Sequence, residues 1–219
     1  APPAGDLLLE ARWDLRFAQT LRLRAELART RGDLTLLAET AEGTPARVTA
    51  GVREARLLLE GEGESLRATL RWDSERAGRL QADLATRLSP GGPAGWQWPE
   101  AAPLSGRLQA RLPRMGAWSV LAPPGWRLRG SLAADLTLAG TRAQPRLQGP
   151  LQADDLGLRS VVDGIALEGG RLRARLDDTR LVIDELLLQG PGGAATGGTL
   201  RASGEGRWEA GAVRLQMDA

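Results

Sequence analysis

The sequence predicts an all-β protein built as one long antiparallel meander, because its hydropathy alternates with a period of two. Apolar residues occupy every second position of the first such segment, residues 7–17. The alternation returns at 21–27, 66–72, 104–112 and 126–138, with mostly arginine or acidic residues between the apolar ones. Successive side chains of a strand point to opposite faces, so one face of the sheet should be apolar and the other charged.

Residues 20–29 show why this period outweighs intrinsic propensity. Leucine, alanine, arginine and glutamate favour helices by a few tenths of a kcal/mol each. Wrapped into a helix, however, Leu21, Leu23 and Leu27 would scatter around its surface. In a strand they form one apolar edge, and burial of each leucine contributes about 1.5–3 kcal/mol. The segment is therefore predicted to be a strand.

Residues 7–88 predict about six strands of this kind. Between residues 46 and 60 the apolar positions switch from even to odd numbers, so we expect a β-bulge near Arg53 and Glu54. Turns are expected at three places: Thr30–Asp33, Glu42–Pro45 and Gly61–Ser65.

The middle of the chain interrupts the alternation. Ser89–Pro103 is rich in proline and glycine, which predicts an irregular loop. Arg114–Ala122 predicts one short helix, with Met115, Trp118 and Leu121 spaced three residues apart before two prolines. Strands then resume to the end, broken by a glycine-rich turn at Gly190–Gly198. The chain therefore divides into three segments: 1–88, 89–103 and 104–219. Residues 1–88 either continue the sheet of residues 104–219 or form a sheet of their own.

The composition excludes most enzymatic chemistry. All 29 basic residues are arginine, and histidine, cysteine and lysine are absent, so a catalyst would depend on carboxylates, serine or threonine. We expect no enzyme activity, no catalytic residues, no cofactor and no metal site. The formal charge of +2, with acids interspersed among the arginines, does not favour nucleic acid.

Three local motifs have simple structural explanations. The adjacent acids Asp154–Asp155 and Asp177–Asp178 are expected in turns, because neighbouring strand residues point to opposite faces. Gly190–Gly198 lacks the lysine of a phosphate-binding loop, which leaves a flexible hairpin turn. Trp96 and Trp98 are expected to anchor their loop on the sheet.

Residues 104–210 carry short motifs in a fixed order. They are Leu104-Ser105-Gly106-Arg107-Leu108, Gly130-Ser131-Leu132, Gly140-Thr141, Pro145-Arg146-Leu147-Gln148-Gly149, Asp155-Leu156-Gly157-Leu158-Arg159 and Gly164-Ile165-Ala166-Leu167. In this order they resemble the TamB family, AsmA-like proteins that span the periplasm of Gram-negative bacteria. The resemblance covers about half of the chain, and residues 1–88 share only the alternating hydropathy pattern. It implies a β-taco, an open trough with a hydrophobic lining.

The resemblance also implies a function and a location. The chain would be an internal segment of a periplasmic bridge that carries phospholipids between the inner and outer membranes. An Omp85-type, TamA-like outer-membrane partner would bind regions outside this segment, because the family's anchor and C-terminal tail have no counterpart here. Phospholipid acyl chains would contact fifteen lining residues: Leu21, Leu23, Leu66, Leu70, Leu80, Leu84, Leu108, Leu128, Leu132, Leu136, Leu147, Leu151, Leu172, Leu176 and Ile183. Met115, Trp118 and Leu121 would form a lid or simply pack on the sheet.

Two alternatives stay open from the sequence. The apolar stripe could be the core of a closed, packed sandwich that binds no ligand. An open sheet could instead guide nascent outer-membrane proteins by adding strands to its edges.

Overall fold

The computed structural model describes residues 4–17, 20–39, 45–91, 95–121, 125–160, 162–193, 197–209 and 212–218. Within these ranges strands account for most residues, and a 3₁₀ helix spans Met115–Leu121. The strands in chain order are β1 (Ala4–Gly5), β2 (Leu8–Phe17), β3 (Leu21–Arg31), β4 (Leu34–Glu39), β5 (Pro45–Thr49), β6 (Val52–Glu62), β7 (Ser65–Ser74), β8 (Gly78–Arg87), β9 (Ser89–Pro90), β10 (Trp96–Gln97), β11 (Ser105–Leu112), β12 (Trp126–Gly140), β13 (Pro145–Ser160), β14 (Ile165–Asp178), β15 (Arg180–Gln189), β16 (Thr199–Glu209) and β17 (Ala212–Asp218).

Twelve of these strands form one antiparallel sheet, in the order β17-β16-β15-β14-β13-β12-β11-β8-β7-β6-β3-β2. The order follows the chain except for two excursions, β4–β5 and β9–β10. The sheet does not close on itself, so β2 and β17 are its edges. Strands on either side of the proline-rich segment pair directly, with Ala82 opposite Leu108. The predicted all-β meander is confirmed, and both long segments contribute to its sheet.

Several predicted details are confirmed by the strand pairing. The register shifts between Val52 and Glu54, where the bulge was expected. The turn at Gly61–Ser65 joins β6 to β7, and the short helix forms with 3₁₀ geometry, in which residues three apart share one side. The expected turn at Glu42–Pro45 lies largely outside the described residues.

Two predictions were wrong in detail. The proline-rich segment is not wholly irregular, because Ser89–Pro90 pairs with Trp96–Gln97 in a short ladder. Asp154–Asp155 lies inside β13 and not in a turn. Asp155 has a φ of 51° at a register shift, so it forms a bulge that lets the strand continue. Asp177–Asp178 does end its strand at a turn.

A second sheet of three strands, in the order β1-β4-β5, lies beyond the ends of β3 and β6. Asp33 ties it to the large sheet, because its carboxylate accepts hydrogen bonds from the backbone N–H groups of Leu34 (2.8 Å), Gly51 (2.9 Å) and Val52 (3.1 Å). Partial desolvation opposes ionisation of Asp33, but these three donors outweigh it and lower the pKa of the carboxyl group.

Candidate functional site: the apolar face

Apolar side chains of the large sheet are aligned in rows that cross many strands. One row contains Ala11, Leu27, Leu57, Leu70, Ala82, Leu108 and Leu136. A second contains Ala55, Trp72, Leu80, Ala110, Ala134, Leu151, Ala174 and Ile183. Directly paired residues project from the same side of a sheet. These rows therefore define one continuous surface, which we call the apolar face.

The apolar face is buried at its centre. Leu136 is 8% exposed and Ala134 is 5% exposed, and residues of four other strands pack around them. In the described part of the chain, strands of the large sheet pack mainly on their direct neighbours, and the 3₁₀ helix contacts β12 and β4. The low exposure of Leu136 and Ala134, in contrast to the exposed arginines of the opposite side, identifies the apolar face as the inner side of the sheet.

All fifteen predicted lining residues project from the apolar face in the observed register. Leu21 is the most buried of them, at 2% exposure. Leu147 is the most exposed and lies opposite Asp178 at the end of its strand. The predicted lining left out other residues of the same face, although the period of two already placed Leu27 and Trp72 there. The omitted residues include Leu27, Leu57, Trp72, Leu181 and Leu186.

The opposite side, which we call the polar face, carries a network of ion pairs. Arg107 donates hydrogen bonds of 2.9 and 2.8 Å to both carboxylate oxygens of Asp135. These bonds, with a further one from Gln109, lower the pKa of Asp135 to about 2. Side chains such as Arg107 remain 61% exposed. The contrast with Leu136 shows that the polar face is the outer side of the sheet.

Three arginines on β14, which form a basic row, belong to this network. Arg171 and Arg173 pair with Asp154 at 3.8 and 2.6 Å, and Arg175 pairs with Asp184. All three arginines of the row thus make ion pairs within the sheet, as expected for a solvated face.

The 3₁₀ helix covers the apolar face where β7 ends and β8 begins. Trp118 donates a hydrogen bond from Nε1 to the carbonyl oxygen of Ala77 at 3.0 Å. Its ring meets Trp72 edge to face, with centroids 6.4 Å apart. Met115 lies in the same helix, whereas the side chain of Leu121 lies outside the described residues. The helix lies over the apolar face, where a lid would lie. Its role as a lid stays a prediction.

The other ends of the strands carry a second tryptophan contact. Trp98 donates from Nε1 to the hydroxyl oxygen of Thr86 at 2.9 Å, and the Arg142 guanidinium lies 5.5 Å from the centre of its ring. Thr86 is buried on the apolar face opposite Leu66. The expectation that the proline-rich loop is anchored on the sheet is therefore confirmed for Trp98.

The described residues offer few other binding features. No three side chains with metal-ligating groups come together among them, and none of their helices has the length and apolarity to cross a membrane. Gly190 donates its backbone N–H to the Gly198 carbonyl at 3.1 Å, which closes the expected glycine-rich turn.

Comparison with known proteins adds no relative: no family model, curated protein or solved structure matches the chain. The fold and the site define its class as an open antiparallel β-sheet with an apolar inner face and a charged outer face.

Proposed function

We propose that this chain is a segment of a periplasm-spanning bridge protein whose apolar groove conducts phospholipids between the inner and outer membranes. The observation that carries the proposal is the apolar face, which crosses the large sheet from strand to strand while the sheet stays open at both edges. The resemblance to the TamB family supports the periplasmic location and an Omp85-type partner outside this segment.

The energetics of the apolar face suit a conduit. Exposing an acyl chain to water costs about 0.8 kcal/mol per methylene, or roughly 13 kcal/mol for a sixteen-carbon chain. A leucine- and alanine-rich surface removes most of this cost. Its central rows offer few polar side chains that would fix a headgroup or an orientation, so the lipid is held without being trapped.

The dimensions agree with this use. Neighbouring strands are about 4.8 Å apart, so twelve strands extend for roughly 50 Å across the sheet. The apolar rows run in that direction, perpendicular to the strands. A lipid chain moving along a row would leave one leucine or alanine as it meets the next.

The chain offers a matched pair for testing this proposal, because Leu57 and Leu58 are adjacent and project from opposite faces. The purified protein should carry phospholipid that organic solvent extracts and mass spectrometry identifies. Leu57→Glu should reduce bound lipid and binding of an apolar fluorescent probe, because it places a charge on the apolar face. Leu58→Glu should leave both unchanged. A wild-type protein that carries no lipid and binds no probe would contradict the proposal.

A second candidate function is strand addition to outer-membrane protein clients. It is favoured by the open edges of the sheet, since β2 has a neighbour on one side only and its Trp13 is 75% exposed. Unpaired backbone groups of an edge strand accept another strand. Photo-crosslinkers on β2 and β17 should then capture β-barrel clients. Crosslinks that form only from the apolar face, and only to lipid, would reject this function.

A further inference from the structure

We propose that the polar face carries a binding cleft for a phosphate group, separate from the apolar face. The cleft lies between β2, β3, β6 and β7, near the ends of these strands at Phe17 and Leu21, and has a volume of about 750 Å³. Its charged and polar lining includes Arg16, Arg22, Arg24, Glu62, Ser65 and Arg67.

Two arginines of the cleft lack a partner among the described residues. Arg16 pairs with Asp14 at 3.4 Å, and Arg24 pairs with Glu60. Arg22 and Arg67, in contrast, form no ion pair or side-chain hydrogen bond with any residue in the described part of the chain. Two guanidinium groups are therefore available to a ligand in one cleft.

The cleft also contains a direct opposition of like charges, since Arg16 and Arg22 face each other across β2 and β3. Such a cross-strand pair is destabilising unless it is neutralised. Glu62 stands opposite Arg22 on the other side but makes no ion pair with it. A bound anion would relieve this repulsion.

The opposed arginines Arg56 and Arg71 do not share this feature. Arg56 and Arg71 are directly paired, and Glu26 and Asp83 bind one of them each, at 2.7 and 2.8 Å. Both partners in that pair are thus neutralised. Arg22 has no such acidic partner among the described residues, which distinguishes the cleft from that pair.

Phosphate fits this arrangement better than a carboxylate ligand does. Guanidinium groups bind phosphate oxygens through two parallel N–H donors. A phosphate monoester has enough oxygens and charge to join Arg22 and Arg67 while it also accepts from the Ser65 hydroxyl. The phosphate could belong to a soluble ester or to a lipid headgroup, and the chemistry of recognition is the same.

Calorimetric titration of the full chain at low ionic strength tests the cleft, with glycerol phosphate as the soluble ligand and phosphatidic acid vesicles as the lipid ligand. Arg22→Gln and Arg67→Gln should each weaken binding roughly tenfold, as expected for loss of a charge-assisted hydrogen bond. Glu62→Gln should strengthen binding, because it removes a competing negative charge. Arg12→Gln is the matched control, since Arg12 lies on the same face outside the cleft and pairs with Glu10.

The outcomes distinguish a soluble phosphate ester from a lipid headgroup, and the cleft proposal from the conduit proposal. Binding of glycerol phosphate alone, with the expected dependence on Arg22 and Arg67, assigns the cleft to soluble esters. Binding of both ligands with that dependence extends it to lipid headgroups. Absence of binding, or equal weakening by Arg12→Gln, would overturn the cleft. None of these results depends on acyl-chain binding, so the conduit proposal stands or falls separately.

Discussion

The tryptophan contact beneath the 3₁₀ helix gives the sharpest prediction about stability. Trp118→Ala removes the 3.0 Å hydrogen bond to Ala77, which contributes about 1 kcal/mol. It also removes the edge-to-face contact with Trp72, at about 0.5–1.5 kcal/mol, and part of the burial of a large side chain, at about 1–2 kcal/mol. The free energy of unfolding should therefore fall by about 2.5–4.5 kcal/mol.

Chemical denaturation followed by circular dichroism measures this loss. Trp13→Ala is the matched control, because Trp13 is 75% exposed on the edge strand and should cost less than about 0.5 kcal/mol. If both variants are as stable as the wild type, the 3₁₀ helix is not docked on the apolar face in solution. Binding of an apolar fluorescent probe provides a second test. Trp118→Ala should increase probe binding if the helix acts as a lid, and unchanged probe binding would reject the lid.

Three further predictions concern the carboxylates and the glycines. The NMR titration of Asp135 should have its midpoint at about pH 2, and Arg107→Gln should raise that midpoint towards 3.8; an ordinary value in the wild type would refute the pairing. Asp33→Ala should lower the free energy of unfolding at pH 7 by about 2–3 kcal/mol, because three backbone N–H donors lose their acceptor. The native pKa of Asp33 is depressed, so its contribution is present above the unfolded pKa and is lost as the pH falls through the native pKa; a penalty independent of acid pH would contradict this. Gly149→Ala should destabilise more than Gly63→Ala in thermal melts, since both have positive φ but only a Cβ at Gly149 would lie 2.1 Å from a backbone oxygen; equal losses would argue against that close approach.

The sequence was sufficient for those parts of the fold that depend on local periodicity. Alternation with a period of two identified the apolar face, and the switch of phase before Leu57 located the bulge at Arg53. The spacing of Met115, Trp118 and Leu121 identified the short helix. Each of these signals lies within about fifteen residues and needs no knowledge of the partner strand.

The errors concern features that depend on distant residues. Asp154 and Asp155 read locally as a turn, but Arg171 and Arg173 of the next strand pair with Asp154 and allow β13 to continue through a bulge. The cleft of the polar face was missed for the same reason. Arg22 and Arg67 look like ordinary exposed strand residues until the register brings their strands to either side of β6.

Lipid crosslinking from adjacent positions on opposite faces tests the central claim most directly. The chain has no cysteine, so Leu57→Cys and Leu58→Cys each provide one site for a photo-reactive label. In protein incubated with phospholipid, the label at position 57 should crosslink to lipid and the label at position 58 should not. Crosslinks from position 57 only to other strands of the same chain, or equal lipid crosslinking from both positions, would contradict an open apolar groove.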